Sequence, residues 1–186
     1  MTGLSHGVLI SGPAGVGKTS LIDELRPIAS SSGGWFVSGK YDQHRRDLEF
    51  DGARQAIRAV GRLLLAEPED EVAEVRARLL HALGRNAGLL AAVQPEFGVL
   101  MGVAPDASIG DSLFAQARMQ RIGVDVLAAV ASPKRPIVMF IDDLQWASRT
   151  PLGFLDMLVS EGPPRDCCWS WRIGTTRSTR RTRSPR

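Results

Sequence analysis

The apolar positions change period along the chain, and each change marks an element. Leu4 opens and Val8–Ser11 closes a short apolar run that predicts a buried strand. After a glycine-rich stretch, Leu21, Ile22 and Leu25 recur at helical spacing within Lys18–Ile28, where Pro27 is expected to kink or end the helix. Ser30–Gly34 reads as a turn, Trp35–Gly39 as a second strand and Tyr41–Asp51 as a charged loop. Ala53–Ala66 places Ile57, Val60, Leu63 and Leu64 on one helical face, and Glu69–Leu83 does the same with Val72, Val75, Leu79 and Leu80. Leu89–Met101 is apolar but interrupted by Pro95 and Gly98, which predicts short helices. Ser112–Ala131 predicts a long helix capped by Asp111 or Ser112. Pro136–Asp143 is a continuous apolar run ending in two acids, the third strand, and Thr150-Pro151 opens a helix to about Ser160. Strands alternating with helices imply an α/β fold with a parallel sheet. The helical stretch Ala53–Ala131 departs from that alternation and reads as an insertion between the second and third strands.

A chain of 186 residues is long enough for a domain with a substantial core, and its 44% hydrophobic content is ordinary for a globular protein. No apolar run reaches the ~18 residues of a membrane span, and no basic-then-apolar leader opens the chain, so a cytoplasmic location without membrane contact is expected. The basic residues are unevenly spread. Seven of the 23 Lys and Arg residues, but only Asp166 among the 20 acids, lie from Arg165 onward, leaving 16 basic against 19 acidic residues in Met1–Pro164. The body is mildly acidic and the tail is basic. An acidic body argues against direct nucleic-acid binding, although a basic tail alone could serve as an arm. The adjacent Cys167 and Cys168 predict neither a disulfide nor a zinc site.

The glycine-rich stretch after the first strand carries chemistry. Gly12-Pro-Ala-Gly-Val-Gly-Lys-Thr19 fits G-x-x-x-x-G-K-[ST], the Walker A phosphate loop, between a predicted strand and an amphipathic helix. Gly12, Pro13, Ala14, Gly15, Val16, Gly17, Lys18, Thr19 and Ser20 are the expected nucleotide-binding residues. Glycines let the backbone wrap a phosphate and aim N–H groups at it, and the following helix adds its dipole. Lys18 is expected on the β- and γ-phosphates, with the Thr19 hydroxyl on Mg²⁺. Ile137-Val-Met-Phe-Ile-Asp-Asp143 fits Walker B, an apolar strand that delivers carboxylates to the C-terminal edge of a parallel sheet. Asp142 is expected to hold Mg²⁺, and Asp143 stands where many ATPases place a glutamate that orients the attacking water. The cofactors expected are therefore ATP and Mg²⁺. The absence of an Asn/Thr-Lys-x-Asp motif favours adenine over guanine. Tyr41–Arg46, with His44 within it, reads as a solvated loop in preference to a nucleotide or partner-domain contact, and Trp146 beside Gln145 reads as packing in preference to adenine stacking; Arg149 could serve as a charge-stabilising arginine, though nothing in its spacing demands it.

The phrases ISGPAGVGKTSLIDEL, WFVSGKYDQ and IVMFIDDLQWAS resemble AAA-like ATPase modules of the STAND type, also described as Orc1-like, from large bacterial signalling proteins. The resemblance covers about Gly7–Glu161, including the segment RARLLHALG; Ser148 departs from it, since an Asp is usual there. It implies a P-loop NTPase sheet and ATP binding that drives a conformational switch with little turnover. Lys18 and Asp143 would be its catalytic residues, and signalling or effector domains its partners. A P-loop kinase acting on a small substrate and a DNA-associated initiator-type ATPase are the competing readings. Packed helices in place of an Arg-rich lid argue against the first, and the acidic body argues against the second.

The resemblance fails after Pro164. The family continues with an apolar strand and a polar segment ending in Arg-Asp, whereas this chain reads RDCCWSWRIGTTRSTRRTRSPR. Written in GC-rich codons and read from the last base of the Arg165 codon, the same bases encode Gly-Leu-Leu-Leu-Val-Val-Ala-His-Arg-Asp-Asp-Glu-Val-Asp, a buried strand followed by Arg-Asp. Residues 165–186 are therefore expected to be a frameshifted, largely disordered tail after a partial ATPase domain at 1–164. The C-terminal part of the fold would then be missing, including the strand between those carrying Walker A and Walker B. Cys167–Ile173 could pair as a makeshift strand, though it carries Ser170 and Arg172.

Overall fold

The computed structural model describes residues 6–13, 15–42, 51–106, 112–147, 157 and 167–174. Strand β1 (His6–Gly12) leads into helix α1 (Lys18–Ser31), strand β2 (Trp35–Lys40) and the helices α2 (Asp51–Leu65), α3 (Glu69–Leu83), α4 (Ala87–Val93), α5 (Pro95–Met101) and α6 (Ser112–Val130). Strand β3 (Ile137–Asp142), 3₁₀ turns at Gly84–Asn86 and Leu144–Trp146 and strand β4 (Cys167–Gly174) complete the described elements. The sheet is parallel throughout in the order β1-β4-β3-β2. Parallel neighbours require crossover connections, so every strand delivers its C-terminus to the same edge. In register, Gly12 faces Gly174 and Lys40 faces Asp142 along that edge. Among the described residues no helix is long and apolar enough to cross a membrane.

The α/β class and the run of helices between the second and third strands agree with the pattern of apolar positions. Three details differ. First, α1 passes through Pro27 instead of ending there and runs to Ser31. Proline removes one helical N–H but leaves the next turn intact, and the helix stops where other groups take over its last carbonyls. The hydroxyl of Ser31 donates to Ile28 O at 3.0 Å and that of Ser32 to Ala29 O at 2.8 Å, before Gly33 turns the chain with φ +71°. Second, Leu80 is exposed and Leu83 takes the inward place, so the buried stripe of α3 is Val72, Val75, Leu79 and Leu83. Third, Tyr41 is not part of a solvated loop. It is buried, and its N–H extends the ladder to Asp142 O at 3.1 Å.

The slot between β1 and β3, expected to lack its strand, contains β4. Cys168–Gly174 pairs with His6–Gly12 on one side and Cys167–Trp171 with Ile137–Ile141 on the other. Ladder hydrogen bonds belong to the backbone, so Ser170 and Arg172 do not prevent pairing. The expected disorder of the tail thus does not extend to residues 167–174, while 175–186 lie outside the described residues. The helix expected after Thr150 also lies outside them, apart from Met157.

One core joins the sheet to the helices that lie between β2 and β3 in the chain. Val37, Ile137, Met139 and Ile141 from the strands meet Leu64, Leu79, Phe97, Leu100, Ile122 and Leu127 from the helices, all buried. Arg135 ties the start of β3 to the α2–α3 junction. Its guanidinium lies 4.7 Å from the centre of the Trp35 ring, donates to Glu67 at 3.0 Å and is paired with Glu71. With only 17% of its side chain exposed, this cation is held by both carboxylates and the ring.

Candidate nucleotide site

The site begins where β1 runs out. Gly15 and Gly17 have φ of +81° and +92°, and a Cβ at either would meet open space. What requires glycine there is the left-handed backbone and not crowding. Gly17 is the N-cap of α1 and offers no side-chain cap, and no acid stands in the first turn. The positive end of the helix dipole is therefore not offset by a carboxylate of the helix itself. The Lys18 ammonium folds back over the loop, donating to Gly12 O at 2.6 Å and Pro13 O at 2.7 Å. Both acceptors are neutral carbonyls, so an ionised phosphate oxygen would be the stronger acceptor for the same donors. Ala14 lies outside the described residues.

The second half of the site is the end of β3. The backbone N–H of Asp143 donates to Asp142 Oδ1 at 2.7 Å. Asp143 then turns sharply, with φ 55° and ψ 40°, the one non-glycine residue at positive φ among those described. Its carbonyl accepts from Trp146 N–H at 2.9 Å, which starts the 3₁₀ turn. Its carboxylate is engaged twice, by Gln145 Nε2 on Oδ1 at 3.0 Å and by Lys40 Nζ on Oδ2 at 3.1 Å. A left-handed aspartate costs roughly 1–2 kcal/mol, and such a cost recurs where a carboxylate must be aimed.

A cavity of about 250 Å³ lies between α1, α2 and the ends of β2 and β3. Thr19 and Asp23 from α1, Ser38 and Lys40 from β2, Gln55 from α2 and Asp142 from β3 are among its lining residues. Thr19 and Asp142, the two groups the sequence selects for Mg²⁺, thus face one space. Mg²⁺ characteristically takes one or two protein oxygens and fills its octahedron with phosphate oxygens and water. A hydroxyl and a carboxylate lining one open space fit that demand better than a closed cluster would.

Of the remaining sequence candidates, Trp146 is partly buried against the core, in keeping with a packing role. His44 and Arg149 lie outside the described residues. Sequence reasoning missed Lys40 and Gln55. Lys40 ends a parallel strand at the edge where ligands bind, a signal that was available. Gln55 carried none, because its role depends on how α2 lies against β2.

A parallel α/β sheet with a glycine loop after its first strand and acids at the end of another is the arrangement of the P-loop NTPase class. The chain belongs to the AAA ATPase domain family, whose pattern it matches over residues 1–169. It is also similar to the hybrid signal transduction histidine kinase G of Dictyostelium discoideum, with 28% identity over 152 residues. That stretch is 82% of this chain but 4% of the relative, so the chain spans a small part of that protein's length.

Proposed function

We propose that this chain is a nucleotide-binding regulatory module in which Mg-ATP bridges the Gly12–Ser20 loop and the end of β3. The observation that carries the reading is that Thr19 and Asp142, brought from α1 and β3, line one cavity at the C-terminal edge of the sheet. Backbone N–H groups between Gly12 and Ser20, all but Pro13, which has none, cradle the phosphates. Lys18 exchanges its two carbonyls for β- and γ-phosphate oxygens. Thr19 and Asp142 hold Mg²⁺, and Asp143 orients the attacking water. ATP binding then acts as a conformational switch within a larger signalling protein, with effector domains as partners. The histidine-kinase relative supports that setting.

Turnover is proposed to be slow, because both oxygens of Asp143 are engaged by protein donors. Residues 165–186 are proposed to arise from a shifted reading frame, which leaves the strand slot filled but removes the polar segment the family carries after it. Sequencing the gene tests this: the absence of an alternative frame encoding an apolar strand would refute it.

The binding claim is tested by titrating a fluorescent ATP analogue into the chain and into Lys18→Ala. Loss of charge-assisted hydrogen bonds to phosphate is expected to weaken binding about 10- to 100-fold. Equal affinity in the two proteins would remove Lys18 from the site.

A further inference from the structure

Helix α1 has two different flanks above the face of the sheet on which it lies. At about 100° per residue, the buried Ile22 and Ala29 share the side turned to the sheet, and Thr19, Asp23 and Arg26 turn to one side of that line. On that side is the cavity they share with Ser38 and Lys40 of β2 and Asp142 of β3. Leu21, Leu25 and Ile28 therefore turn to the other side, towards β1. Leu21 is 52% exposed there and Ile28 62%.

Strand β1 continues this apolar strip. Val8 is in register with Ser170 of β4, and Ser170 with Phe140 of β3, which lines the cavity under α1. Alternate residues of a strand face opposite ways, so Val8 and Ile10 lie on the α1 face and Leu9 on the other. Val8 is 52% exposed and Leu9 57%. Four of the eight large apolar side chains exposed among the described residues, Val8, Leu9, Leu21 and Ile28, are thereby gathered at one flank. Within the described sheet β1 is an outer strand, with β4 as its neighbour. Outer strands are usually blunted by lysine, proline or a bulge. His6–Gly12 contains no Lys, Arg, Asp, Glu or Pro, and its register with β4 is unbroken.

We infer that β1 pairs antiparallel with β1 of a second copy of this chain, making a two-fold dimer whose two sheets run on into each other. A partner lying on one face would cover Val8 or Leu9 but not both, whereas a strand added at the edge reaches both faces. The chain itself supplies a strand that fits. With the two-fold axis at Leu9, the middle of β1, Val8 of one protomer faces Ile10 of its partner and Leu9 faces Leu9. No like charges meet along this pair, and Leu21 and Ile28 of the two α1 helices flank it on one face. The apolar strip is on the order of 300 Å² per protomer, against about 800 Å² buried per partner in an interface of standard size. The dimer is therefore weak and reversible, with Kd on the order of 10 µM. Antiparallel strands put the two nucleotide loops at opposite ends of a junction about 23 Å long, so neither protomer completes the other's site.

Sedimentation velocity on the full chain from about 1 to 100 µM, with and without Mg-ATP, tests the pairing alongside Leu9→Lys and Leu80→Lys. The unsubstituted chain is expected to pass from monomer to dimer and stop there, with or without nucleotide, because a two-fold contact closes on itself. Leu9→Lys sets two ammonium groups opposite each other and is expected to weaken the dimer about ten-fold or more. Leu80, exposed on α3, lies outside the strip, and Leu80→Lys is expected to leave Kd unchanged. Hydrogen exchange across His6–Gly12 of the unsubstituted chain is expected to slow as the dimer forms. A chain still monomeric at the top of that range overturns the inference, as does growth beyond a dimer. A dimer that forms only with Mg-ATP, or that Leu9→Lys weakens no more than Leu80→Lys does, also overturns it. Should Leu9→Lys fail to fold, the exchange measurement decides: slower exchange of β1 in the dimer supports the pairing, and unchanged exchange overturns it.

Discussion

At the scale of single residues, the shape of the phosphate loop depends on Gly15 and Gly17, whose left-handed backbones carry the chain around Val16 and into Lys18. Gly17 offers a direct check. With φ +92° and free space around it, Gly17→Ala is expected to cost about 1–2 kcal/mol of unfolding free energy through strain alone. A urea titration reads this as a lower midpoint at constant slope, and an unchanged midpoint would mean that the loop relaxes at no cost. The loop and the paired acids were legible because their chemistry is local. Glycines spaced before Lys18, and Asp142-Asp143 after an apolar run, can each be read from neighbours in the chain. Lys40 and Gln55 were not legible as a pair, since their partners come from other elements and only the folded arrangement brings them together.

At the scale of elements, α2, α3 and α6 lie close to the limits that their periodicity predicts, because an apolar stripe facing a core repeats in the sequence itself. Pro27 is a poor guide to the end of α1, since one lost N–H weighs less than the serine hydroxyls and Gly33 that close the helix further on. Ser170 and Arg172 argue against β4 as a central strand, whereas its place depends on two neighbouring backbones with ladder groups to share. The contact between α2 and β2 can be tested at Gly39. Gly39→Ala must push α2 away from the strand, and a loss of about 1–3 kcal/mol is expected from overpacking. Thermal or urea unfolding checks it; no loss would show that α2 is not seated as described. On α5, Phe97 is fully buried, and Phe97→Ala is expected to cost about 3–5 kcal/mol in the same measurement.

At the scale of the whole molecule, the sheet and the helices between β2 and β3 bury one common set of apolar side chains, so those helices are part of the fold and not an appendage. The class of fold was readable from alternation and motif together, while the filled slot between β1 and β3 emerged only from the arrangement of strands. The central claim is that one nucleotide and its metal are held jointly by α1 and β3. It is tested most directly by measuring ATP affinity with and without Mg²⁺ in the chain and in Asp142→Asn. Mg²⁺ is expected to strengthen binding by about ten-fold or more in the chain and to have little effect in Asp142→Asn, on the scale of a charged ligand's contribution. An equal Mg²⁺ effect in both proteins would contradict the account.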